Sequence, residues 1–226
     1  IFTSRIRLIN PIEFSKVKEE CTKRKDEMIA SNNVQVRCNA VMHGWGIEQL
    51  KDDPDENVRA TIASKGFYLD QYKNDPSNWV RMTVAEQGKY LEELKNDSNE
   101  YVRAVVAGKG AYLNELIDDP SAAVRRHVAE LIPLEDITVK LIRDSSVDVR
   151  VALAERGIAL NEYVNDEDPV VRTIVAEKGE YLDILLKDDP DVEVRKTAIY
   201  YVLDIAKNDP EINEDYLIKY LEVGKE

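Results

Sequence analysis

The chain has 226 residues, of which 43% are hydrophobic and 33% charged, a composition that folds rather than stays disordered. Thirty-one basic residues face 44 acidic ones, and the net charge of −13 argues against a protein whose main task is to grip phosphate backbones. The sequence contains no apolar run of about 18 residues, so no ordinary transmembrane helix and no membrane partner are expected.

Residues 1–35 follow no repeat and read as an N-terminal helical cap. Asn10 and Pro11 suit an N-cap and a first helical position. A helix is predicted from there to about Ala30, with Ile12, Val17, Cys21 and Met28 on its apolar side. Its other face carries Lys16, Lys18, Lys23, Arg24 and Lys25, either the polar face of a cap or a small basic contact surface. Cys21 and Cys38 are the two cysteines, and no CxxC pair occurs. They read as buried free thiols in a reducing, cytoplasmic setting. No basic stretch leads into an apolar run and a small-residue cleavage site, so no signal peptide is expected.

From residue 36 to 209 one pattern recurs. Val-Arg stands at Val36-Arg37, Val58-Arg59, Val80-Arg81, Val102-Arg103, Val124-Arg125, Val149-Arg150, Val171-Arg172 and Val194-Arg195, with spacings of 22, 22, 22, 22, 25, 22 and 23 residues. The unit from Asp75 to Asp97 explains the pattern. Asp75 offers a carboxylate as an N-cap, and Pro76 fits the first helical position. Val80, Val84 and Ala85 share one face, and Gly88 supplies the left-handed residue that ends a helix. A second helix follows, with Tyr90, Leu91 and Leu94 on its apolar side. The glycine recurs at Gly44, Gly66, Gly110, Gly157 and Gly179. The second helix recurs as Tyr68-Leu69, Tyr112-Leu113 and Tyr181-Leu182, with Ala159-Leu160 as a variant. Each unit is predicted to pair a helix of about three turns with one of about two turns. Neither helix can bury its apolar face alone, so neighbours must stack. The expected fold is an all-α, right-handed solenoid of about eight 22-residue two-helix repeats.

The pattern D-P-x-x-x-V-R-x-x-V-A resembles HEAT-like repeats. Its short period is similar to the leucine-rich variant branch, in which an α-helix pairs with a shorter helix. Residues 132–150, IPLEDITVKLIRDSSVDVR, carry the resemblance furthest through a proline-led second helix. It covers roughly residues 31 to 210. Some leucine-rich variant proteins hold a cysteine-ligated iron–sulfur module. This chain lacks those cysteines, and no cofactor or metal is expected.

An aspartate stands six residues before seven of the eight repeat arginines. The pairs are Asp53/Arg59, Asp75/Arg81, Asp97/Arg103, Asp119/Arg125, Asp144/Arg150, Asp166/Arg172 and Asp189/Arg195, with Ser31 before Arg37. A feature repeated in every unit is structural rather than catalytic. The resemblance implies that such residues link neighbouring units. Guanidinium groups can bind carboxylates in a bidentate way, so a ladder of partly buried contacts is predicted.

The unit from Val124 to Asp148 adds three residues and puts Ile132-Pro133 where glycine is expected, which is predicted to bend or offset the stack. At the C-terminal end Val202 replaces the glycine, so the helix from Val194 is predicted to run to about Lys207. Asp209-Pro210 then starts a closing cap over residues 210–226, with Ile212, Tyr216, Leu217 and Tyr220 inward.

His43 and His127 stand far apart, and no nucleotide-binding, metalloprotease or nucleophile-elbow motif occurs, so no enzyme is expected. The candidate partner-binding residues are the outward acids of the second helices, Asp70, Glu92, Glu93, Glu115, Glu162 and Asp183, together with Trp79 and Tyr101 before consecutive Val-Arg pairs. The acids are either a binding stripe or a solvated face. The two aromatics are either binding anchors or packing between first helices. The leading expectation is a non-enzymatic scaffold for a protein or peptide of basic character. One alternative is a HEAT-like nucleic-acid-binding protein or DNA glycosylase, which the charge disfavours. Another is an accessory subunit or inhibitor acting by occlusion.

Overall fold

The computed structural model describes residues 11–208. These contain fifteen α-helices, one 3-10 helix and no strand. The chain divides into two compact units between Lys109 and Gly110.

The first unit opens with α1 (Pro11–Ile29), followed by α2 (Val34–Met42), α3 (Glu56–Ser64), α4 (Leu69–Tyr72), α5 (Asn78–Glu86), α6 (Leu91–Leu94) and α7 (Glu100–Gly108). α2, α3, α5 and α7 pack side by side as successive first helices. Val58, Ile62 and Ala63 of α3 are fully buried, as are Val80, Val84 and Ala85 of α5 and Val102, Val106 and Ala107 of α7. Each buried valine contributes roughly 1.5–3 kcal/mol. The alanines let neighbouring backbones approach. α1 is described from Pro11 to Ile29, but Val17 and Cys21 are exposed, and among residues 14–29 Lys25, Met28 and Ile29 alone turn partly inward. One buried thiol remains, at Cys38. The apolar side of α1 was assigned from helical period alone. It reaches the rest of the unit only near its C-terminal end.

The first helices end as expected. Gly66 adopts φ +82, its amide bonds to Ala63 O at 2.8 Å, and Phe67 N reaches back to Ile62 O at 3.3 Å. The second helices differ from the prediction, because α4 and α6 are single turns of four residues. Tyr68 and Tyr90 do not sit inside them. They are N-caps in the left-handed region, at φ 54 and 56. That conformation costs a non-glycine residue about 1–2 kcal/mol. It lets the chain turn sharply from one helix into the next, with the ring half-buried.

The second unit contains α8 (Leu113–Leu116), α9 (Ala122–Leu131), the 3-10 turn Leu134–Asp136, α10 (Val139–Ile142), α11 (Val147–Glu155), α12 (Leu160–Tyr163), α13 (Pro169–Glu177), α14 (Leu182–Asp188) and α15 (Val192–Asn208). α9, α11, α13 and α15 pack in sequence. α15 continues past the place where other repeats have their glycine and is helical through Asn208, the last described residue, so its predicted end near Lys207 lies at the limit of the described residues. The expected closing helix from Asp209, like the side chain of Ile12, lies outside the described residues. The proline-led element of residues 132–150 is the 3-10 turn. The second helix of that repeat, α10, is led by Thr138, whose Oγ1 accepts from Leu141 N at 3.2 Å.

One geometry at the repeat start links successive repeats within each half. The aspartates expected to be N-caps stand two residues earlier than that. The caps are Asp55, Ser77, Asn99, Ser121, Ser146 and Asp168. Pro76 therefore lies outside its helix, and Pro169 of α13 occupies a first helical position. The preceding aspartate forms an Asx turn, its Oδ1 accepting the cap residue's amide at 2.8–2.9 Å from Asp53 to Asp189. The same carboxylate takes the arginine of the preceding repeat in a fork. Arg37 donates from Nε to Asp53 Oδ2 at 2.6 Å and from Nη2 to Oδ1 at 2.8 Å. Arg59/Asp75, Arg81/Asp97, Arg125/Asp144, Arg150/Asp166 and Arg172/Asp189 repeat this fork.

The six-residue spacing seen in the sequence is a different bond. Nη1 of each arginine donates to the backbone carbonyl of the aspartate six residues back, as from Arg59 to Asp53 O at 2.7 Å and from Arg103 to Asp97 O at 2.8 Å. Arg195 makes it to Asp189 O. A main-chain carbonyl needs no particular side chain, which is why Ser31 can serve Arg37 at 2.8 Å. The three extra residues of the interrupted repeat are absorbed ahead of Asp144, and the Arg125 fork still closes.

Burial pushes the Asp53, Asp97 and Asp144 carboxyls up. Hydrogen bonds from Arg37, Arg81 and Arg125 and from the cap amides outweigh it and hold all three below the ordinary aspartate value of 3.8. The matching arginines are pushed up, first by those same hydrogen bonds.

Candidate interaction surfaces

The acidic candidates and the aromatic candidates stand on different helices. Asp70, Glu92, Glu93, Glu115, Glu162 and Asp183 all lie on the one-turn or short second helices, and all are exposed. Trp79 and Tyr101 are on first helices, each the second residue of its helix, in α5 and α7.

Part of the acid is matched locally. Lys73 Nζ lies 3.0 Å from Asp70 and 3.4 Å from Glu93, and its ammonium stands 4.5 Å from the centre of the Tyr90 ring. It therefore ties α4 to the next repeat. Arg143 Nε meets Glu162 at 2.9 Å. These contacts stand at the surface, where solvent and salt screen them. Glu92 and Asp183 make no ion pair among the described residues. In the first unit the position two residues before the ladder aspartate is Lys51, Lys73 and Lys95. In the second it is Ile117, Ile142 and Val164, with lysine again at Lys187.

Trp79 is 48% exposed and Tyr101 55%. Packing between first helices does not cover them. Their backbones are tied down beneath the rings: Thr83 Oγ1 donates to Trp79 O at 2.9 Å, and Tyr101 N donates to Asn99 Oδ1 at 3.0 Å. Glu56 of α3 accepts from the hydroxyl of Ser77, the N-cap of α5, at 2.5 Å. A carboxylate therefore sits at the helix start that presents Trp79.

Several features had no signature in the sequence. Tyr72 and Tyr163 are buried, and their hydroxyls donate to Lys51 O at 2.7 Å and Ile142 O at 2.8 Å. Both sit where other repeats have leucine, and burial pushes both phenols up. Arg156 donates to Ala129 O at 2.5 Å and Ile132 O at 2.7 Å. Those carbonyls belong to the end of α9, where Pro133 replaces the glycine turn. A cavity of about 320 Å³ in the second unit lies between Arg143, Asp144, Arg150 and Glu162. Its floor is the ladder itself. His43 is exposed and stacks on Trp45, and His127 contacts Glu130 at 2.9 Å. No group of histidine, cysteine and carboxylate side chains spaced for a metal ion occurs among the described residues. No helix of the described residues is long and apolar enough to cross a membrane.

No family model matches the chain, and no curated protein matches it. Among solved structures, it is similar to one described as a leucine-rich repeat variant with a novel repetitive protein structural motif. The two share 28% sequence identity and superpose with a TM-score of 0.62, over 83% of this chain and 84% of the other. The likeness spans most of both chains, and the chain is a helical repeat protein that resembles the leucine-rich variant type.

Proposed function

We propose that the chain is a non-enzymatic interaction module that offers an extended acidic surface to a basic protein or peptide. The observation that carries this reading is the row of exposed carboxylates at equivalent places on successive second helices, from Asp70 to Asp183. A helical-repeat fold supports it, since stacked repeats expose a long surface and build it from many equivalent positions. The reading includes a right-handed stack of about eight repeats, with residues 1–35 and 210–226 as its caps. Local pairing by Lys73 and Arg143 sets the register of the acids and leaves Glu92 and Asp183 for a partner.

The test is the binding of polylysine to the full chain as ionic strength rises from about 0.05 to 0.3 M, across which the screening length falls to well under 10 Å. Affinity should fall steeply with salt, and Glu92→Lys with Glu93→Lys should weaken it further. An affinity indifferent to salt overturns the reading.

A further inference from the structure

We propose that the N-terminal rim of α3, α5 and α7 is a second docking surface, which takes an extended segment carrying arginine at every third position. The proposal rests on the reading of the chain as an interaction module but not on its acidic second-helix face. Trp79 and Tyr101 occupy the same register on adjacent packed helices and keep about half their surface in solvent. Large aromatics held on a rigid backbone and left open to water are the usual anchors of a binding surface.

Charge selects the partner. Glu56 is fixed by its bond to Ser77 beside the start of α5, and exposed Glu100 precedes Tyr101 directly. The lysines that follow these helices, Lys65 and Lys109, stand at the opposite ends, about 13 Å along the axes. An aromatic face with a carboxylate beside it fits a guanidinium, which stacks on the ring and bonds the carboxylate in its own plane.

Spacing selects the conformation. Packed helices lie about 8–10 Å apart, so Trp79 and Tyr101 repeat at that interval. A polyproline II segment advances about 9.3 Å in three residues and returns its side chain to the same face. Arginines three apart therefore meet the two rings in turn.

The probes are a peptide of repeated Arg-Pro-Pro, the same peptide with citrulline for arginine, one of the same composition with its arginines adjacent, and polylysine. Each is titrated into the full chain by calorimetry, with the Trp79 and Trp45 indole N–H resonances followed by NMR. The expected result is binding of the Arg-Pro-Pro peptide with a shift of Trp79 and not of Trp45. Trp79→Ala and Tyr101→Ala should each weaken it roughly 3- to 30-fold. Citrulline and adjacent-arginine peptides should bind several-fold more weakly, and the loss caused by Trp79→Ala should persist in a Glu92→Gln, Glu93→Gln background. Both aromatics are on the surface, so unchanged melting curves show that the variants fold. Binding that ignores both aromatic variants overturns the rim, as does equal binding of the adjacent-arginine peptide. If polylysine still binds in a salt-sensitive way while the Arg-Pro-Pro peptide does not, the rim fails and the acidic-face reading stands. Binding of neither probe overturns both.

Discussion

Two repeats, one in each half of the chain, solve the same turn in different ways, while Gly157 and Gly179 keep the left-handed glycine elsewhere in the second half. In the first, α3 ends on a left-handed glycine, whose amide and the next one take up the last free carbonyls at 2.8 and 3.3 Å. In the second, α9 ends on extended Ile132 and on Pro133, which has no amide to donate. The carbonyls of Ala129 and Ile132 are taken instead by Arg156, the residue that closes α11 in the following repeat. At the equivalent place in the first unit Lys65 makes one such bond, to Met42 O at 3.0 Å. The halves also differ at the seam between second helices. The first places Lys51 and Lys73 over Tyr68 and Tyr90, at 5.6 and 4.5 Å from the ring centres, and the second has Ile117, Ile142 and Val164 at three of those positions and lysine at the fourth, Lys187. A repeat tolerates loss of a local signal when a neighbouring repeat supplies the missing hydrogen bonds.

The shared ladder should give the largest effects and should not distinguish the halves. Arg172→Met leaves the buried Asp189 carboxylate without its fork and should cost about 3–5 kcal/mol in urea unfolding. Arg59→Met should cost a similar amount through Asp75. A loss below about 1 kcal/mol in both would show that the ladder is decorative. Next comes the difference itself. Arg156→Ala should cost about 1–3 kcal/mol, because two carbonyls lose their donors. Lys65→Ala should cost under about 0.5 kcal/mol, because its bond is exposed. Equal losses would erase the contrast between a glycine-ended and an arginine-ended helix.

Acid probes both halves together. Asp53, Asp97 and Asp144 are held below 3.8 in the folded chain, so on acidification the unfolded chain takes up protons first. Their contribution is complete above that value and disappears as the pH falls through the lower folded-state values. Urea midpoints measured from about pH 6 to pH 2.5 should decline over that lower range, and a flat profile contradicts the assignment. The smallest effect is at the left-handed caps. Ala159→Gly should gain up to about 1 kcal/mol, since alanine holds φ 56 without an aromatic ring to offset the strain. Tyr90→Gly should gain nothing, because it also removes the ring beneath Lys73. A thermal melt distinguishes the two.

Much of the fold was legible because the repeat averages out local noise. Valine, alanine and glycine recur at fixed offsets, and one stacking solution serves them all. The errors lie where one residue type can do two jobs. Asp75 reads as a helix cap, but its carboxylate is claimed by Arg59, and the cap passes to Ser77. Tyr90 reads as a helical residue, since nothing in a tyrosine announces a left-handed backbone. Val17 and Cys21 share a helical face by period, yet period does not say whether a neighbour covers that face along its whole length.

By itself the sequence determined the helical repeat, its period, the ends of the first helices and the net acidity. These follow from local propensity and from a spacing that sets which residues share a face. Only the tertiary structure decided which aspartate pairs with which arginine, that Arg156 replaces a glycine turn, and that Trp79 and Tyr101 face solvent. Those depend on distances between residues 16 to 27 positions apart in one chain, or on which neighbours leave a surface uncovered, and helix stacking alone sets them.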